Sequence, residues 1–182
     1  MRPAKIAVIL STIVLLAGCA GKGVDEKKPG EIQVKSVFGD GERIPTKYTC
    51  DGEDVSPPLT IEGLASNAKS IAIIVDDPDA PMGVFTHWVI WNIPPVSRIP
   101  EGIPKKAVIN EPIKAVQGIN DFGEIGYGGP CPPPGKPHTY RFKVYVLDTT
   151  LDLKPGATKE ELEKAMEGHV IQYGELRGVY GR

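Results

Sequence analysis

The sequence predicts a mainly β protein: an antiparallel β-sandwich with a few short peripheral helices. Three observations lead there. Short runs of β-branched and aromatic residues recur at residues 32–38, 70–75, 85–93 and 140–147. Helical spacing is confined to a stretch that starts at Thr158, so strands outnumber helices. The strands are also not interleaved with helices, as parallel βαβ units would require.

The chain opens with Arg2 and Lys5 ahead of an apolar run over residues 6–17. A basic start and a short apolar stretch describe a secretory signal peptide. The run is too short for a comfortable membrane span. It ends in Leu16-Ala17-Gly18-Cys19, which resembles the lipobox of bacterial lipoproteins, where the Cys is acylated and becomes the first residue. Residues 1–18 are therefore expected to be a lipoprotein signal peptide. Cys19 is expected to carry lipid and to hold the protein on the outer side of the cell membrane. An ordinary signal peptide containing a Cys is the alternative. Residues 20–30 are small, charged and aperiodic, so residues 19–30 read as a flexible tether. Residues 31–182 make the folded domain.

Within it, IQVKSVF at residues 32–38 alternates and reads as a strand. TCDGEDVSPP at 49–58 is turn chemistry. SIAIIV at 70–75 suits a buried strand, and FTHWVIWNI at 85–93 reads as a further strand, rich in aromatic and β-branched residues. Residues 94–104 form a proline-rich loop. GYGGPCPPPGKP at 126–137 is a stiff loop, because proline fixes φ and donates no backbone hydrogen bond. YRFKVYVL at 140–147 alternates strictly and sets Tyr140, Phe142, Val144 and Val146 on one face. Thr158 and Glu161 make a capping box, with Leu162, Ala165 and Met166 as the apolar helix stripe. GELRGVYGR at 174–182 reads as a terminal strand.

Without residues 1–18 the chain keeps 19 basic against 23 acidic residues, after Arg2 and Lys5 are taken from the 21. No basic face is visible, so nucleic acid is not an expected partner. Of three cysteines, lipidation of Cys19 leaves Cys50 and Cys131, an even pair in an oxidising compartment where disulfides persist. Two buried free thiols are the alternative.

Polar residues gather in two places. Asp76-Asp77-Pro78-Asp79 follows the 70–75 strand, with His87 on the next strand. Three adjacent carboxylates repel one another unless something offsets them. His138 and Tyr140 follow the proline loop. Two of the three histidines thus sit in the two most unusual stretches. Each stretch alone is also good turn or packing chemistry.

DDPDAP with HWVIWNIP, and GYGGPCPPPGKPHTYRFKVYVLD, resemble the two signature regions of the phosphatidylethanolamine-binding protein family, also called Raf kinase inhibitor-like proteins. EGHVIQYGELRGVYGR looks like that family's C-terminal region, and YTCDGEDVSPPL like the opening of its prokaryotic branch. The resemblance spans residues 32–182. It implies a β-sandwich with a small anion-binding pocket lined by Asp77, Asp79, His87, Gly129, Pro130, Pro132, His138 and Tyr140, the proline loop forming one wall. One departure is Thr139, where the family's triplet usually has Arg; Arg141 stands two residues later.

Carboxylates in an anion pocket make sense behind an imidazole, fixing its tautomer. Accordingly His87 and His138 are expected to share one anion, with Asp77 or Asp79 behind a ring and the histidine pKa raised. A cis bond is expected at Ala80–Pro81. The expected function is binding of a phosphorylated or carboxylated ligand, with no cofactor or metal. A protease-inhibitory protein is one alternative. An enzyme is another, using His87, His138 and an Asp for metal ligation or acid–base work. The pocket motifs offer no obvious Ser nucleophile, and Cys131 is expected to be bonded.

Overall fold

The computed structural model describes residues 29–182. The signal peptide, Cys19 and most of the tether lie outside the described residues. The described chain is mainly β with one α-helix and a 3₁₀ turn at Thr46–Tyr48. In order, the elements are β1 (Gly30–Glu31), β2 (Gln33–Lys35), β3 (Glu42–Arg43), β4 (Leu59–Glu62), β5 (Ser70–Asp77), β6 (Phe85–Ile93), β7 (Arg98–Ile99), β8 (Val108–Ile109), β9 (Ala115–Gln117), β10 (His138–Leu147), α1 (Lys159–Met166) and β11 (Val170–Tyr180). The expected strand at 32–38 is thus short and interrupted. The terminal strand begins earlier than expected, at Val170, and β5 continues through both Asp76 and Asp77.

The larger sheet runs β1-β11-β10-β5-β6-β9-β8, with β3 also on β11, and the smaller runs β2-β4-β7. The expectation of a wholly antiparallel sheet is corrected: β1 and β3 both pair parallel with β11. No hairpin joins them to it. The entering chain runs along the free edge of β11 in the same direction, from Gly30 opposite Gln172 to Glu42 opposite Gly178, and leaves it for β2 in between.

Burial explains the sequence pattern. Phe142, Val144 and Val146 of β10 join Ile73, Val75 and Trp88 in a core shared with Leu59, Ile61 and Ile99 of the smaller sheet. The other face of β5 and β6 packs Ala72, Ile74, Val89 and Trp91 against Leu162 and Met166 of α1. Both strands are covered on both faces, so they read as continuous apolar runs without a polar alternate. Each such side chain contributes about 1.5–3 kcal/mol of burial. Trp88 and Trp91 are core residues on opposite faces. The capping box holds α1: Thr158 Oγ1 accepts from the Glu161 N–H, and the Glu161 carboxylate accepts from the Thr158 N–H.

Candidate functional site

The three neighbouring carboxylates are reconciled by being pointed apart. Asp76 and Asp77 are successive residues of β5, so their side chains take opposite faces. Asp76, wholly buried, accepts from Arg141 Nε and Lys143 Nζ, both at 2.7 Å, on the face away from the main core. Asp77 faces the main core side. Its Oδ2 accepts the Nδ1–H of His138 at 2.7 Å, and its Oδ1 accepts the backbone N–H of Asp79 at 2.8 Å. Asp79 accepts the Thr139 N–H at 2.8 Å; that hydrogen bond is the main cause holding its carboxyl below the usual range. The loop therefore turns on side-chain and backbone hydrogen bonds, including Gly83 N–H to the Ala80 carbonyl. It needs no cis bond: Ala80–Pro81 is trans, and the cis X-Pro bond of the described chain is Glu111–Pro112.

His87 reaches the same place by a different device. Asp76 pairs with Thr86, while Val75 pairs with Trp88. Two steps on β6 match one on β5, which makes His87 the extra residue of a β-bulge. The bulge turns both His87 and Trp88 toward the main core side. His87 Nδ1 lies 2.7 Å from the Gly128 carbonyl oxygen. A carbonyl only accepts, so Nδ1 carries the proton. The expectation of a raised pKa fails for this residue. Burial pushes the ring below the usual histidine range, outweighing the Gly128 carbonyl and the Asp77 charge that oppose it. The carboxylate stands behind His138, not His87.

Around these groups lies a cavity of about 150 Å³. Asp77, His87, His138 and Tyr140 line it, together with Pro132 of the proline loop. Tyr140 is wholly buried, and its hydroxyl has no hydrogen-bond partner among the described residues. Burial, then the charge of the Asp77 carboxylate, which lies near the hydroxyl but outside hydrogen-bond geometry, holds its pKa well above the tyrosine range, so it stays a donor. His87 sits among three rings, with centroids 5.2 Å from Phe85, 5.3 Å from Phe122 and 5.1 Å from Tyr140.

The proline loop is a wall, as expected, and it is bolted from behind. Cys50 and Cys131 are joined as a disulfide across 81 positions. Beside it, the Cys50 N–H donates to the Pro130 carbonyl at 3.1 Å, and Asp54 accepts the Gly129 N–H at 2.6 Å. A Cβ on Gly129 would come within 2.6 Å of the Tyr48 carbonyl oxygen and 2.8 Å of Thr49 Cα. Only glycine lets the two loops approach this closely.

A profile of the phosphatidylethanolamine-binding protein family matches residues 34–181. The chain belongs to the phosphatidylethanolamine-binding protein family. Relatives include a UPF0098 protein of Pyrococcus horikoshii, 63% identical over 97% of this chain and 89% of its own length. A UPF0098 protein of Pyrococcus abyssi is 64% identical over 96% of both chains. Among solved structures, a phosphatidylethanolamine-binding protein homologue of Chlamydia trachomatis superposes with a TM-score of 0.76 at 42% identity, covering 84% of this chain and 99% of its own. Escherichia coli YbcL, described as a member of the mammalian family, has a TM-score of 0.76 at 36% identity, with the same coverage of each chain.

Within this family member the candidate residues divide. Asp77, His87, Pro132, His138 and Tyr140 meet at the cavity. Asp79, Gly129 and Pro130 do not line it: they brace the Thr139 backbone and the Cys50 loop. Arg141 does not stand in for the triplet Arg at the cavity, because odd positions of β10 face the other way and it is held by Asp76. Sequence reasoning missed the aromatic lining. Phe85 shares a face with His87 by simple alternation and could have been named. Phe122 carries no such signal. It lies in a loop shaped by Asn120, whose Oδ1 accepts the Phe122 and Glu124 N–H groups at 3.0 Å each. Among the described residues, no His, Cys, Asp and Glu side chains gather in threes that could hold a metal ion.

Proposed function

We propose that the cavity binds a small oxyanion, a phosphate or carboxylate group carried on a larger molecule. The observation that carries this reading is the pairing of two groups at one cavity: His138 fixed by Asp77, and the buried, unpartnered hydroxyl of Tyr140. A buried hydroxyl without a partner is costly in an apolar setting, and a ligand oxygen relieves that cost. With Nδ1–H committed to Asp77, a protonated His138 offers Nε2–H as a charged donor. The Asp77 charge is engaged by that ring and by the Asp79 N–H, which offsets its repulsion of an anion. Pro81, Pro133 and the exposed Phe122 line the cavity with apolar surface that suits the organic part of such a ligand.

The same reading takes the two sheets as layers of a β-sandwich, since one core cluster draws on both. It also takes the protein as exported and anchored through Cys19. The lipobox-like Leu16-Ala17-Gly18-Cys19 supports that, and a disulfide suits an oxidising compartment. The tether then joins the domain at Gly30, opposite Gln172, whereas His138 of the cavity lies opposite Tyr180. Eight residues of strand separate those points, about 27 Å at 3.4 Å per residue. The cavity would meet its ligand on the side away from the attachment. Titration calorimetry with inorganic phosphate and acetate tests the binding. Heat that saturates, and that is lost with Tyr140→Phe, is expected. No binding of either anion would overturn the reading.

A further inference from the structure

We propose that the cavity selects an oxyanion that still carries a proton, a singly ionised phosphate monoester, over one of equal charge and shape that carries none. The inference rests on the oxyanion reading and follows from what His87 presents. Its Nδ1–H is spent on the Gly128 carbonyl at 2.7 Å. A neutral imidazole then has a bare lone pair on Nε2, which can only accept. Nothing among the described residues donates to it, and His87 lines the cavity.

The surroundings favour the neutral ring. Phe85, Phe122 and Tyr140 crowd it with aromatic rings. The charged or titratable groups near it are Asp77 at the end of β5, His138 and Tyr140 on β10, and Asp121 in the following loop. Asp77 is already hydrogen-bonded to His138, and Asp121 accepts the Thr86 N–H at 2.6 Å. Burial prevails over their charges and holds the ring below the usual histidine range.

An oxyanion entering this cavity therefore meets donors from Tyr140 and His138 and an acceptor from His87. A fully ionised oxygen set against Nε2 brings two lone pairs together. A P–OH set there makes a hydrogen bond. The chemistry that satisfies all three groups is a phosphoryl anion with one remaining proton.

Methyl phosphate and methyl sulfate separate the possibilities. At about pH 5, below the second phosphate ionisation near 6, both are monoanions of nearly the same shape. Only the phosphate has a hydroxyl. Titration calorimetry should give methyl phosphate at least roughly tenfold tighter binding, the equivalent of one hydrogen bond in a buried site. Methyl sulfate binding as tightly as methyl phosphate overturns the selectivity and leaves the oxyanion reading standing. If neither binds, both fall. His87→Phe should bring the two affinities together, by removing both the acceptor for the P–OH and the lone pair that opposes methyl sulfate. Because that variant leaves the Gly128 carbonyl without its donor and could misfold, a second measurement uses the unaltered protein. Nitrogen NMR of His87, at the pH of the titration, should find Nδ1 protonated and Nε2 bare. A proton on Nε2 there overturns the inference by itself.

Discussion

Tyr140→Phe should make the protein more stable and its cavity useless for anions. Tyr140 is wholly buried, and its hydroxyl has no partner among the described residues. Its ring packs edge-on to His87 with centroids 5.1 Å apart, and phenylalanine keeps that contact. The substitution therefore deletes one oxygen and little else. An unsatisfied buried donor costs about 1–3 kcal/mol. After allowing for the lost contacts of one oxygen atom, the ligand-free variant should gain about 1 kcal/mol. For a domain of this size that raises Tm by roughly 2–4 °C. Anion affinity should move the other way. A hydrogen bond to a charged group is worth about 1.5–3 kcal/mol, so binding should weaken roughly 10- to 150-fold. Thermal unfolding without ligand and titration calorimetry with phosphate read the two effects separately. A variant that loses stability by 1 kcal/mol or so and keeps its affinity would refute the reasoning. The hydroxyl would then be a structural group bonded within the fold.

Three further outcomes follow from other parts of the site. Replacing both Cys50 and Cys131 by Ser opens a link across 81 positions; the chain-entropy estimate puts the loss at up to about 4–5 kcal/mol, measurable by denaturant unfolding, and phosphate affinity should fall with the loosened wall. Gly129→Ala should lower both stability and affinity, because its Cβ meets backbone at 2.6–2.8 Å rather than a movable side chain; unaltered calorimetry would mean the two loops yield easily. His87 gives an acid-side signature: burial lowers its folded pKa while the unfolded ring titrates near 6.5. Its contribution is thus fully present above about pH 6.5 and is lost as pH falls from there through the folded value, since unfolding takes up a proton. His87→Phe should lack that part of the acid limb in stability–pH curves, and an unchanged limb would contradict the burial effect.

Much of this was legible in the residues, and the limits have physical causes. Strict alternation from Tyr140 fixed the buried face of β10, and the apolar run of β5 marked a buried strand. Thr158 and Glu161 announced the start of α1. Local pattern could not reveal the pairing of β1 and β3 with β11, because two-residue edge strands carry no period. The bulge at His87 was also hidden. Regular alternation would send His87 and Trp88 to opposite faces, and only the register against β5 shows the extra residue. The expectation of Asp77 or Asp79 behind a ring left open which histidine it would be, and the structure puts Asp77 behind His138. Asp77 extends β5 by two residues and ends beside His138, a neighbour 61 positions away. The Ala80–Pro81 bond is trans, the ordinary form of an X-Pro bond, in a turn closed by the Gly83 N–H on the Ala80 carbonyl.

The most direct test of the oxyanion site is phosphate calorimetry on the purified protein and on His138→Gln. Glutamine can keep a hydrogen bond toward Asp77 but brings no charge. The account predicts saturable phosphate binding, and a His138→Gln variant that is folded and binds at least roughly tenfold more weakly. Phosphate binding that is equal in the two proteins, or absent from both, would contradict it.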